Sequence, residues 1–259
     1  MNAGRLLYEG KAKIVYETDD PSMLLMEFKN DATAFDGKKK GSFAGKGKVC
    51  NLMSASLFSL LEHAGVRTHY IRTEGERFML VRRMQMLPVE VVVRNVAAGS
   101  ISRRLGIPEG TALPRPLVEF YYKNDSLGDP LLCEGHIEIL KAASPEQVEK
   151  IKRDALAVDK LLMDFFSSLG VDLIDFKLEF GMFGDEILLG DEISPDTCRL
   201  WDAATGDKLD KDRFRRDLGG VEEAYAEMLS RVESGSDTVH GEDGTQDSHG
   251  PLRPGGGAI

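Results

Sequence analysis

Leu173-Ile-Asp-Phe-Lys-Leu-Glu-Phe-Gly181 alternates between apolar and charged residues. With the two-residue period of a β-strand, Asp175, Lys177 and Glu179 point to one side, and Ile174, Phe176, Leu178 and Phe180 to the other. The apolar face can pack into a core, while the other lines up charges of alternating sign about 6–7 Å apart. A solvated outer face is the ordinary explanation of such a strand. The residues that follow argue for more. Turn-rich Gly181-Met-Phe-Gly-Asp185 leads into Glu186-Ile-Leu-Leu-Gly-Asp-Glu192, an apolar run that ends in two further carboxylates. The pair reads as a β-hairpin whose open end collects Asp175, Glu179, Asp191 and Glu192 around Lys177, a grouping that favours a hard cation such as Mg²⁺. A two-residue turn at Gly184-Asp185 would pair Glu179 with Gly190 and send Asp191 to the opposite face. The expected register is instead a three-residue loop centred on Asp185. It sets Glu179 across from Asp191, as an equivalent bulge would, with Cβ atoms roughly 4.5–5.5 Å apart, so that both reach one or two Mg²⁺ ions.

The rest of the chain bounds the chemistry. Its 259 residues are enough for one large core or for two lobes sharing a cleft. With 42 % apolar and 29 % charged residues, the composition is that of an ordinary globular protein. A net charge of −10 argues against a general nucleic-acid or membrane-surface binder, although an anionic small ligand needs only a local basic cluster. Cys50, Cys133 and Cys198 are odd in number and widely spaced, which fits a reducing compartment without disulfides or a zinc site. No apolar run reaches the ~18 residues of a membrane span, and a cytoplasmic location is expected.

Leu6-Leu-Tyr8, Ile14-Val-Tyr16 and Leu24-Leu-Met-Glu-Phe28 read as a hairpin and a third strand. In the turn Glu9-Gly-Lys-Ala-Lys13, Gly10 lets the backbone approach a ligand, and Lys11 and Lys13 share one side of an extended chain. An exposed charged turn is the competing reading. Asn30 to Lys48 is expected to be a polar, Gly- and Lys-rich loop. Its Gly41…Gly45-Lys46 portion fails as a P-loop, because the glycine spacing is one residue short and Gly47 stands where Ser or Thr is required. Val49 to Ala64 carries a helical apolar stripe that stops at Gly65. Phe78-Met-Leu-Val81 reads as a buried strand. Arg82 to Pro88 could cross between lobes, where Met84 and Met86 either pack or present a polarisable surface to an adenine ring.

Val89-Glu-Val-Val-Val-Arg94 is a further strand, ending in the small residues Asn95-Val-Ala-Ala-Gly-Ser100 before a short helix at 101–105. Backbone N–H groups brought together there, with Arg94 beside them, make an anion site; Ser100 as an N-cap is the structural alternative, compatible with it. Pro108 to Pro116 reads as loop, Glu119 to Lys123 as a strand and Asn124 to Pro130 as a turn. Ser144-Pro-Glu-Gln147 carries a capping box with proline in the first turn, opening a structural helix that Gly170 ends. Arg199 and the single tryptophan fall in an expected loop after the hairpin. Helices are expected over 212–217 and 221–232, and a disordered tail from Ser234.

Several of these stretches together resemble the SAICAR synthetase family. Leu87-Pro-Val-Glu-Val-Val-Val-Arg-Asn-Val-Ala-Ala-Gly-Ser100 and Leu173-Ile-Asp-Phe-Lys-Leu-Glu-Phe-Gly181 are similar to its two signatures. Tyr8-Glu-Gly-Lys-Ala-Lys13, Gly190-Asp-Glu-Ile-Ser-Pro-Asp196, Arg199-Leu-Trp-Asp202, Asp210-Lys-Asp-Arg-Phe-Arg215 and Gly219-Gly220 match in the same order. The resemblance covers about residues 6–232; Thr33 stands where the family often has Ser. It implies an α+β fold of two lobes, similar to ATP-grasp enzymes and protein kinases. The β-rich nucleotide lobe would span 1–84, a larger α/β substrate and metal lobe 85–233, and a tail 234–259.

The activity the resemblance implies is the ATP-dependent joining of L-aspartate to the carboxylate of carboxyaminoimidazole ribonucleotide in purine synthesis, through an acyl phosphate. Phosphoryl transfer of this kind relies on positioning and charge neutralisation, which suits a chain with no Ser–His or Cys–His constellation. Residue by residue, Gly10, Lys11, Lys13, Met84, Met86 and Lys123 would contact ATP, and Glu179 and Asp191 would hold Mg²⁺. Arg94, Ser100, Asp175, Lys177, Arg199 and Arg215 would bind the ribonucleotide, and Lys13, Lys177, Glu179 and Asp191 form the catalytic set. A kinase-like phosphotransferase and a nucleotide sensor without turnover are the rival classes. No nucleic-acid or membrane partner is expected; for assembly, a homodimer is favoured.

Overall fold

The computed structural model describes residues 4–34 and 37–240. Short apolar segments separated by turns build the first half. β1 (Leu6–Glu9), β2 (Lys13–Glu17) and β3 (Met23–Phe28) follow one another as antiparallel neighbours. The chain then makes a small hairpin of β4 (Asp31–Ala34) and β5 (Lys39–Ser42), and enters α1 (Lys46–His63). β6 (Tyr70–Thr73) and β7 (Phe78–Arg82) complete a five-stranded antiparallel sheet in the order β1-β2-β3-β7-β6. Met53, Leu57, Phe58 and Leu61 of α1 are fully buried, as the apolar stripe requires.

Within the segment expected to be a loop from Asn30 to Lys48, the described residues instead form the β4–β5 hairpin and the start of α1. Ala32 and Ala34 alternate inward from β4, and the hairpin reaches across to the later half of the chain. There Phe43 packs edge-to-face on Phe214 with ring centroids 5.3 Å apart, and Lys39 pairs with Asp217 at 2.6 Å.

A second antiparallel sheet is wider. It contains β8 (Gln85–Val96), β9 (Ala112–Tyr122), β10 (Leu131–Leu132), β11 (Val171–Phe183), β12 (Glu186–Gly190) and β13 (Cys198–Asp202). The order is β10-β9-β8-β11, and the far edge of β11 is shared: β12 pairs with its C-terminal half and β13 with its N-terminal half. The helices of this half are α2 (Ser100–Leu105), α3 (Glu134–Leu140), α4 (Pro145–Ser168), α5 (Asp212–Arg215) and α6 (Val221–His240). α4 begins with the expected capping box, Ser144 Oγ accepting from the Gln147 N–H at 3.2 Å and Gln147 Oε1 accepting from the Ser144 N–H at 2.8 Å. Its face of Ile151, Ala155, Val158 and Leu162 is fully buried.

Three further expectations need correction. β9 starts at Ala112, inside the expected loop. Its two prolines, Pro114 and Pro116, lie where the pairing with β8 is interrupted between Arg94 and Val96, so no ladder hydrogen bond is lost. The helix at 100–105 is preceded by Gly99 with φ 63°, and Ser100 makes no cap. α6 runs beyond the expected tail boundary at Ser234. Gly235 lets it pass close to Phe165 and Leu169, where a Cβ would lie 2.7 Å from Leu169 Cδ2. The remainder of the expected tail, 241–259, lies outside the described residues.

Candidate active site

β11 is the spine of the site. Phe176, Leu178 and Phe180 enter the core on one face, as the alternation requires. On the other, Asp175 stands opposite Arg94 of β8, Lys177 opposite Val92 and Glu179 opposite Glu90. Both Asp175 and Glu179 are sealed from solvent, at 3 % and 2 % exposed, so the charged face is a buried one.

The hairpin register differs from the expectation. Phe183 pairs with Glu186, leaving Gly184-Asp185 as a two-residue turn, and Glu179 pairs with Gly190. Gly184 has φ 59°, which the first position of a tight primed hairpin turn uses and the strand twist favours. Asp191 nevertheless reaches the charged face by another route. It lies just beyond β12 with a left-handed φ of 59°, and that turn of the backbone returns its carboxylate. Asp191 Oδ2 lies 3.3 Å from Lys177 Nζ, whose other partners are Glu179 and, at 3.1 Å, Glu90. Lys13 from the start of β2 bonds Asp191 and lies 2.8 Å from Glu192 Oε1, which ties the first sheet to the hairpin. Lys123 closes the group by bonding the second oxygen of Glu179.

Ionisation follows from these pairings. Burial opposes every charge here, yet Lys13 and Lys177 together hold the Asp191 carboxyl well below its ordinary range. Burial also works against the Lys177 ammonium, but Glu179, Asp191 and Glu90 raise its pKa well above normal. Asp191 and Lys177 therefore stay charged together.

A second cluster occupies the other end of the same face. Arg94 is 3 % exposed and its fork is heavily committed: Nε to Glu119 at 2.7 Å, Nη1 to Asp175 at 2.6 Å, and Nη2 to Ser100 at 3.0 Å and Tyr121 at 3.1 Å. Arg199 of β13 donates from Nη1 to Asp175 at 2.8 Å and from Nε to Asp212 at 3.0 Å, and Arg215 bonds the other oxygen of Asp212 at 2.5 Å. Arg199 is thus on a strand, not the expected loop. Two openings flank the cluster, one of about 430 Å³ beside Ser100, Arg103, Arg199 and Arg215, and one of about 200 Å³ beside Lys177, Asp175, Thr197 and Arg215.

Gly10 and Lys11 line a third opening, of about 940 Å³, with Thr33, Lys40 and Asp125; Lys11 pairs with Asp125 at 2.8 Å. Met84 packs into a notch made by Gly181 and Gly190, where a Cβ on Gly190 would meet its methyl at 2.5 Å, and Met86 is 40 % exposed beside it. The site residues named from the sequence thus fall into three neighbouring regions. Sequence reading missed Glu90, Glu119, Tyr121 and Asp212. Glu119 and Tyr121 are two apart on a strand and Asp212 precedes Arg215 by one helical turn, but only strand pairing reveals what they bind.

Fold and site define a two-lobed α+β enzyme with a deep face of paired lysines, arginines and carboxylates. The family model of SAICAR synthetase matches residues 6–232. The phosphoribosylaminoimidazole-succinocarboxamide synthase of Halalkalibacterium halodurans is 54 % identical over 88 % of this chain and 97 % of its own. The crystal structure of the Ehrlichia chaffeensis synthase superposes with a TM-score of 0.87 at 43 % identity, covering 88 % of this chain and 98 % of that one. A SAICAR synthetase solved in complex with ADP gives 0.86 at 49 % identity, with 89 % and 98 % covered. The chain belongs to the SAICAR synthetase family. It is an ATP-dependent ligase of purine biosynthesis.

Proposed function

We propose that the chain joins L-aspartate to the carboxylate of carboxyaminoimidazole ribonucleotide, with ATP phosphates at Gly10, Lys11 and Lys13 and the ribonucleotide along Ser100, Asp175, Lys177, Arg199 and Arg215. The observation that carries this reading is the position of Lys177. It sits between Glu179 and Asp191 on one side and the Asp175–Arg199 cluster on the other, all on one face of β11. A phosphoryl donor and an anionic acceptor can therefore meet over one strand. Residues 1–84 serve as the nucleotide lobe and 85–233 as the substrate lobe, with Met84, Met86 and Lys123 at their junction beside the nucleotide.

A carboxylate oxygen is too poor a leaving group for direct attack by an amine. In the proposed sequence the ribonucleotide carboxylate attacks the γ-phosphorus, ADP departs, and an acyl phosphate forms. The aspartate amine then adds to the carbonyl carbon, phosphate leaves, and the nitrogen gives up a proton. Lys13 and Lys177 neutralise charge on the transferring group. Arg94 acts by holding Ser100 and Asp175 in place. No trio of His, Cys, Asp or Glu side chains able to hold a metal occurs among the described residues. Two carboxylates, Glu179 and Asp191, suit Mg²⁺ that takes its remaining ligands from phosphates and water. Bound there, Mg²⁺ would offset the negative charge of the phosphates.

A cytoplasmic homodimer completes the proposal; no described helix is long and apolar enough to cross a membrane. The test of the reaction is ADP release with the ribonucleotide, measured with and without L-aspartate. Aspartate-dependent release with formation of the amide is expected. Equal release without aspartate would identify a phosphotransferase.

A further inference from the structure

The four oxygens of Glu179 and Asp191 are all held by lysines of the chain itself. Lys177 and Lys123 take the two oxygens of Glu179, and Lys13 and Lys177 the two of Asp191. The three lysines are not equivalent. Lys13 also binds Glu192, and Lys177 also binds Glu90, and their side chains are 14 % and 26 % exposed. Lys123 is 45 % exposed, lies just past the end of β9, and among the described residues has Glu179 as its single hydrogen-bonded side-chain partner.

We infer that Lys123 is a place-holding cation. It occupies Glu179 in the protein alone, blocks the carboxylate against a bare divalent ion, and yields it only to a metal that arrives with a nucleotide. The inference rests on the proposed role of Glu179 and Asp191 toward Mg²⁺.

Charge decides the order. Three ammonium groups face the four carboxylates of Glu90, Glu179, Asp191 and Glu192, so the group carries one net negative charge. A divalent ion by itself would turn this into a net positive charge in a largely buried place, and it would have to displace an ammonium that then finds no anion. A metal–nucleotide complex brings phosphate oxygens, which accept the Lys123 ammonium as it leaves Glu179. Lys123 moves at least cost, since one bond is broken and half of its side chain already meets solvent. Lys13 and Lys177 keep a carboxylate partner throughout. Lys123 is thus a positioning residue, acting on the metal through Glu179.

The test uses Mn²⁺ as a paramagnetic probe, with free ion read by its electron paramagnetic resonance signal, on the full chain without nucleotide and with ADP. Lys123→Gln is expected to tighten nucleotide-free Mn²⁺ binding by about tenfold or more, as removal of one nearby positive charge implies. Lys123→Arg, which keeps the charge, should hold the wild-type value. With ADP present, wild type should bind Mn²⁺ much more tightly than without it. Equal nucleotide-free affinities for wild type and Lys123→Gln overturn the place-holder, as does tightening by the Arg variant. Failure of wild type to take up Mn²⁺ even with ADP would overturn the metal role of Glu179 and Asp191 itself. That outcome is distinct from the other two.

Discussion

Arg94 Nη1 donates to Asp175 Oδ2 at 2.6 Å, with each side chain only 4 % exposed. Arg199 approaches the same carboxylate from β13, so one buried acid holds two guanidinium groups. Removing it strips that shared anion from both arginines in a dry place, leaving Arg94 with Glu119 and Arg199 with Asp212. Asp175→Ala should cost about 3–5 kcal/mol in urea unfolding, the usual penalty for breaking a buried pair from one side. Asp175→Asn, which keeps an acceptor, should cost less. A loss below about 0.5 kcal/mol for the alanine variant would contradict the pairing.

The two arginines should differ in kind. Arg94 is committed to four protein partners, so Arg94→Lys, which has no planar fork, should lower the melting temperature as well as weaken the ribonucleotide. Arg199 lines both openings of the cluster, and Arg199→Lys should raise the KM for the ribonucleotide well before that for ATP. An equal rise in both constants for Arg199→Lys would place this arginine elsewhere in the reaction.

Gly47 lies in the first turn of α1, where its N–H donates to Asn30 Oδ1 at 3.0 Å. A Cβ there would press into the Phe28 carbonyl group at the end of β3. Gly47→Ala should therefore destabilise, by about 1–3 kcal/mol as for overpacking, although alanine is the better helix former. Chemical denaturation measures it; a neutral or stabilising effect would show that α1 can move off β3 freely.

His69 is buried against Phe58, and its Nε2 has no hydrogen-bond partner among the described residues. Burial pushes its pKa down from 6.5 to about 3, against the attraction of Asp191. The unfolded chain thus takes up a proton that the native one refuses between those values. Stability should fall as pH drops from about 6.5 toward 3, by up to about 1.4 kcal/mol per pH unit from this group. His69→Gln should flatten that part of the difference when unfolding is followed at pH 7, 5 and 4. Parallel curves for the two proteins would contradict the assignment.

The elements that sequence made legible are those set by local pattern. β11 follows from strict alternation, α4 from its capping box, and α1 from an apolar stripe that a glycine ends. Where reading failed, the deciding contact was distant or conformational. The hairpin register turned on the left-handed φ of Gly184, and the return of Asp191 on a second left-handed residue just past the strand. The β4–β5 hairpin is held by Phe214 of the four-residue helix α5 and by Asp217 just beyond it, 178 residues from its partner Lys39. Glu119 and Tyr121 joined the site only because β9 pairs with β8 across from Arg94. Candidate residues were thus readable as chemistry, while their partners were set by topology.

The acyl phosphate is the centre of the account, and oxygen bookkeeping tests it most directly. If the ribonucleotide carboxylate attacks the γ-phosphorus, one of its two oxygens must depart with phosphate when the aspartate amine displaces it. Ribonucleotide labelled with ¹⁸O in both carboxylate positions is turned over with ATP, Mg²⁺ and L-aspartate, and the released phosphate is analysed by mass spectrometry. One ¹⁸O atom in each phosphate, with the other retained in the amide product, is the predicted result. Phosphate free of the label would contradict it.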